Sequence, residues 1–356
     1  MANRRQVLAG LLATGLAPTA GWSDAGGPAW LSAARGPSGD DMLCGIRADL
    51  SLAFQIALPT RGHAAAAHPS RAEAVAFARR PGTFAVVLNC VNGQVLSRLD
   101  APEGRHFYGH GVFSRDGRWL FTTENDYEAA AGRIGVWDAA NDYARVDEWA
   151  SGGVGPHDIR RLPGTDVLVV ANGGIETHPA AGRAKLNLPM MRPNLSYIDQ
   201  GSVIDSAELP RRMHLASIRH LALSGDTVAF GLQWQGSDAA PALAGMHKMG
   251  SPMRLFSAPA AEQRQMQGYV GSIAFDKGGA RVGITSPRGA ALQVYDVASG
   301  ALSQTFEAAD ICGLGATSEG FVASTGTGIM GHMSGQGMRA PVQSNLQWDN
   351  HLVALT

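Results

Sequence analysis

One pattern returns along this chain and limits what it can fold into. "HAAAAHPSRAEAVAFARR" starts at His63, "HGVFSRDGRWLFTTEND" at His110, "HDIRRLPGTDVLVVANGG" at His157 and "HLALSGDTVAFGLQWQG" at His220. "SIAFDKGGARVGITSPRG" starts at Ser272 without the histidine. The steps are 110 − 63 = 47, 157 − 110 = 47, 220 − 157 = 63 and 272 − 220 = 52. Each unit runs a short apolar strand into a turn such as "SRDG" or "DKGG", then a second strand. A third strand follows and ends in a turn, as in "IGVWDAAND" or "LQVYDVASG". Apolar runs of strand length that stop at Asp, Asn and Gly are what hairpins require. Repeats of roughly 40–50 residues built of short strands are propeller blades.

The ends complete the ring. One more unit, "ICGLGATSEGFVASTGTGIMGHMSG", follows, and the chain then finishes in "WDNHLVALT". That ending reads as an inner strand with His351 at its head and no partners downstream. Met42–Pro59 offers strands with no inner strand of their own. The expected fold is therefore all-β: a single β-propeller of seven blades, each of four antiparallel strands. Pairing of N- and C-terminal segments in one blade closes the ring and removes exposed sheet edges. The 45 glycines suit such a turn-rich chain. The long step after His157 marks an insertion, "IETHPAAGRAKLNLPMMRPN", between second and third strands.

Before the blades, Arg4-Arg5 precede a short apolar run from Val7 to Ala17. The run is too short to span a membrane and fits an export signal. The paired arginines resemble a twin-arginine signal, which exports folded cargo, with an ordinary secretory signal as the alternative. The expected division is a signal over residues 1–25, cleaved near Ala20 or Ala25, a linker over 26–41 and the propeller over 42–356. The mature chain is expected in the periplasm with no membrane span. A net charge of −1 without a basic cluster beyond the start argues against nucleic acid. Three cysteines, Cys44, Cys90 and Cys312, with no CxxC pair, argue against a disulfide framework and a thiolate zinc site.

The inner strand of each propeller blade lines the central channel. His63, His110, His157, His220 and His351 then form a ring at one mouth. Neutral imidazole is the commonest metal ligand and suits iron, copper and zinc. The plainer reading is that such histidines only tie blades together by hydrogen bonds. The insertion, with Glu176, His178, Arg183 and Lys185, would overhang the same face, as would Glu124, Asp126 and Arg288. "MGHMSG" and "MHKMGSPM" invite a copper reading through thioethers, but ordinary packing explains them. No GxSxG elbow, phosphate loop or GxGxxG turn is present.

Long segments resemble a known bacterial family: "LPTRGHAAAAHPSRAEAVAFARRPGTFAVVLNC", "FYGHGVFSRDG", "FTTENDYEAAAGRIGVWDA", "GPHDIRRLP", "VVANGGIETHPAAGRAKLNLPMMRPNLSYID" and "GYVGSIAFDKGGARVGITSPRG". The family is catalogued as a domain of unknown function. Its members look like WD-repeat-like propellers with a twin-arginine signal, encoded beside imelysin-type and di-haem proteins of iron uptake. The resemblance implies a periplasmic propeller linked to iron acquisition, with those proteins as partners. It implies no reaction and no catalytic residues.

The leading expectation is a transition metal or metal complex at the histidine mouth, iron first and copper second. Glu124, Asp126, Glu176 and Arg288 would gate or orient an anionic chelate. One alternative is a metal-dependent hydrolase or oxidoreductase on that face, with Glu124 or Glu176 as acid or base. The other is a non-catalytic scaffold that docks proteins.

Overall fold

The computed structural model describes residues 20–79 and 82–355. Its strands form seven sheets arranged as the blades of a propeller. Six blades run in chain order from the channel outwards, with every neighbouring pair antiparallel. Blade 2 starts with Gly62–Ala67, blade 3 with Arg105–Phe113 and blade 4 with Pro156–Arg161. Blade 5 starts with Ala216–Ser224, blade 6 with Ser272–Phe275 and blade 7 with Ile311–Thr317. Among the described residues helix is scarce; the α-helix Ala260–Gln265 lies in the connection from blade 5 to blade 6.

Blade 1 joins the two ends of the chain. Its inner edge comes from Gln347–Trp348 and Val353–Ala354, both antiparallel to Trp30–Arg35. Asp41–Ile46 and Leu52–Ala57 complete it. Closure by terminal pairing is as the sequence indicates, but the expected linker over 26–41 is corrected. Trp30–Arg35, "WLSAAR", is a strand buried along most of its length. A strand covered on both faces shows no apolar–polar alternation, which hides it among its Gly- and Pro-rich flanks. The expected signal lies mostly outside the described residues. Its last stretch, from Ala20, packs on the body: Trp22 Nε1 donates to the His68 carbonyl at 2.8 Å, and Ala25 is buried.

The core is a set of wedges. Seven apolar clusters each fill one gap between neighbouring blades. Phe77, Phe107, Leu120 and Trp137 fill the gap between blades 2 and 3. Trp30, Ile46, Val322 and Trp348 fill the gap where blade 1 meets blade 7. Inner and middle strands are therefore largely buried on both faces, while outermost strands such as Ala144–Ala150 are largely exposed or half-buried. Cys44, Cys90 and Cys312 are buried free thiols within these wedges, and burial pushes each up to about 12. They serve as small apolar fillers, as expected.

Candidate metal centre at the channel mouth

Each of the five histidines sits where its inner strand leaves regular pairing. The register shifts between Gly62 and Ala65, Phe107 and Gly111, Pro156 and Asp158, and Ile218 and His220. His63, His110, His157 and His220 lie in or at the edge of these irregularities. His351 lies in the gap between the two short strands of blade 1's inner edge. A bulge re-aims a side chain that regular alternation would send into the wedge. Blade 7 has a comparable shift between Ile311 and Leu314, but Cys312 occupies it and its thiol bonds to carbonyls of Trp348 and Asp349.

The imidazoles converge. Ring centroids of His63 and His351 are 4.7 Å apart, His110 and His351 4.8 Å, and His63 and His110 5.0 Å. His157 and His220 are 5.0 Å apart, His220 and His351 5.0 Å, and His110 and His157 5.2 Å. Two triads have ligand nitrogens all within 4.8 Å of one another: His63, His110 and His351, and His110, His157 and His220. His110 belongs to both. Gly109 allows this approach. Its φ is +98°, and a Cβ there would stand 2.6 Å from the His63 ring.

Hydrogen bonds set the tautomers of two rings. His157 Nδ1 lies 2.6 Å from the Arg219 carbonyl, which can only accept. Nδ1 therefore carries the proton and Nε2 keeps its lone pair. His110 Nδ1 lies 3.1 Å from Asp158 Oδ1, while its Nε2 has no hydrogen-bond partner. His63 Nδ1, His220 Nδ1 and His351 Nε2 are likewise buried without partners. Burial above all keeps His63, His157 and His351 well below the usual histidine range, and nearby cationic groups add to it. Burial and His110 lower His220 to about 3. These rings are neutral, with lone pairs crowded into a small space.

Two carboxylates that the sequence reading passed over support the cluster. Burial opposes ionisation of Asp158, but Arg160 and His110 outweigh it and hold its carboxyl far below the usual range. Its oxygens also accept the amides of Ile159 and Leu221. Buried Asp349 bonds to Arg61 and Arg79 and stands 3.9 Å from His63 Nδ1. The adjacent "HD" of "PHDIRR" was the available signal for Asp158. Nothing in the local pattern marked Asp349.

A cavity of 650 Å³ opens above the rings. His63, His157 and His220 form part of its wall, and Arg79, Arg183, Lys185, Arg219 and Arg288 surround it. The insertion overhangs it as expected, contributing Ile175, Thr177, Pro179, Arg183 and Lys185.

The acidic residues are elsewhere. Glu124 is fully buried inside blade 3, paired with Arg145 at 2.6 Å. Asp126 pairs with Arg105 and Arg133. Burial pushes its carboxyl up, but the Ala129 amide and Arg133 outweigh that and leave it below the usual range. Glu176 is half-buried and does not line the cavity. His178 does not line the cavity either; its Nε2 lies 3.3 Å from Glu128. Alternation along the strand carrying Glu124 and Asp126 turns them into blade 3, so neither gates the mouth. The Met-rich stretches are also apart from it: His247 lies between the Tyr197 hydroxyl and the Ser251 carbonyl, and Met330 and Met333 fill wedges.

Fold and site together define a seven-bladed β-propeller with a histidine cluster at one mouth of its channel. The chain belongs to the family described as "Protein of unknown function (DUF1513)", whose model matches residues 56–355. No curated protein matches it. Among solved structures it is similar to a chain of Kuenenia stuttgartiensis hydrazine synthase, with TM-score 0.59 and 13% identity over 84% of this chain and 93% of that one. At that identity the likeness is one of fold.

Proposed function

We propose that this protein is a metal-binding propeller whose channel mouth holds one transition-metal ion between His63, His110, His157, His220 and His351. The observation that carries this reading is the convergence of five imidazoles, four buried and His63 half-buried, four of the five with a ring nitrogen that has no hydrogen-bond partner. Buried polar atoms are normally satisfied, and a group of orphans at one point calls for an explanation such as an ion. A metal–nitrogen bond of about 2.1 Å puts ligand nitrogens roughly 3–4 Å apart, so small inward rotations would complete either triad. His110 offers one ring nitrogen and spends the other on Asp158, so the two triads are overlapping choices for a single ion.

Imidazole-only ligation suits iron, copper and zinc. Iron is our first choice and copper the second, in the periplasmic iron-acquisition setting that the family resemblance implies. There imelysin-type and di-haem proteins would be the partners, and the chain would arrive folded by twin-arginine export. The test is elemental analysis of the mature protein, exported by its native route and purified without chelators or a histidine tag. One equivalent of metal per chain is expected. Protein that stays metal-free even after reconstitution would return the five rings to a purely structural role.

A further inference from the structure

The cavity wall has a strong charge bias. Arg79, Arg183, Lys185, Arg219 and Arg288 line it, and among the described residues no carboxylate does. The whole chain carries a net charge of only −1, so this is a local concentration of positive charge and not a basic surface. Three of the cations have no acidic counterpart: no carboxylate among the described residues lies within ion-pair distance of Arg183, Lys185 or Arg288. Arg288 is instead steadied over the Tyr269 ring at 4.8 Å, and Tyr269 accepts from Asn350 at 3.0 Å. Arg79 is steadied by Asp349, which it shares with Arg61.

The wall also carries unspent hydrogen-bonding groups. Ser217 is fully buried, lines the cavity, and its hydroxyl has no partner. The Gln235 side-chain oxygen is likewise unpartnered, beside Gln233. A cavity of this volume is the size of a small-molecule site. Guanidinium groups match carboxylate and phosphate oxygens in pairs, and a concave cationic wall focuses field onto an anion.

We infer that the vestibule above the imidazoles is a binding site for a small multivalent oxyanion, a polycarboxylate or a phosphate compound. Arg183 and Lys185 reach it from the insertion, Arg288 from blade 6 and Ser217 from below. The inference does not rest on the metal, because these cations and the hydroxyl are in place without it.

The test uses the full mature chain, stripped of metal, titrated calorimetrically with citrate and with pyrophosphate at low salt. Saturable binding of at least one is expected, weakening as salt is raised, with no heat from glycerol. The exposed pair Arg183→Ser with Lys185→Ser, and separately Arg288→Gln, should each weaken it at least tenfold. Citrate alone would mark a carboxylate site, pyrophosphate alone a phosphate site, and both a site that reads charge. Binding of neither, or affinities that the variants leave within twofold, would overturn the inference. Because the titrated protein holds no metal, failure of the metal proposal and failure of this one are separately visible.

Discussion

Asp158 reaches from blade 4 to hold His110 of blade 3 at 3.1 Å, and its other oxygen takes the amide of Leu221 in blade 5 at 2.9 Å. One carboxylate thus fixes the ring shared by both triads and ties three inner strands together. Carboxylate support of a ligating histidine raises its basicity and orients it.

Asp158→Asn keeps the shape and an acceptor but removes the charge. It should lower metal affinity by roughly 10–100-fold, read by competition against a chromophoric chelator. Unchanged affinity would leave Asp158 a purely structural tie.

His110 should matter most among the five. Its Ala variant damages both triads, whereas His63→Ala or His157→Ala leaves one intact. Metal content after dialysis should fall furthest for His110→Ala and partly for the others. Equal content across the series would exclude the shared-ligand arrangement.

Acid should destabilise the metal-free protein. Four mouth histidines have folded-state values below that of the unfolded chain, about 6.5. Below 6.5 the unfolded chain binds protons that the folded one refuses. The stability contributed by neutrality is therefore full above 6.5 and is lost as pH falls toward about 3, the value for His220. Each such histidine contributes a slope of up to about 1.4 kcal/mol per pH unit. His68, lowered to about 4 by burial and Arg71, adds in the same direction from outside the mouth. Denaturant melts between pH 7.5 and 4.5 should show this decline, and His63→Gln with His351→Gln should flatten it. A parent protein equally stable across that range would contradict the burial of neutral rings.

Glu124→Gln should separate fold from site. Breaking the buried pair with Arg145 should cost about 3–5 kcal/mol of stability, seen as a lower melting temperature. Metal content per folded chain should not change. Loss of metal at unchanged stability would restore Glu124 to the mouth.

The blades were legible because hairpin turns and strand-length apolar runs recur at a visible period, and because a lone inner strand at His351 needs partners. The histidine ring was legible from the same alignment, since equivalent positions in a ring converge. Three things were not. Trp30–Arg35 is covered on both faces, so its sequence shows no alternation. Glu124 and Asp126 stand beside turns in sequence, yet strand alternation turns them inward to Arg145 and Arg133. The cationic vestibule draws Arg79 and Arg219 from blades 2 and 5, and no local motif joins residues so far apart along the chain.

The closing strand has one more effect. His351 belongs to the segment that seals blade 1, so the five-ring cluster does not exist in an open ring. Four imidazoles can be ordered by blades 2 to 5 alone, but the fifth arrives only when the two ends of the chain meet. Assembly of the mouth and completion of the fold are one event, and a partly folded chain presents histidines without presenting the cluster.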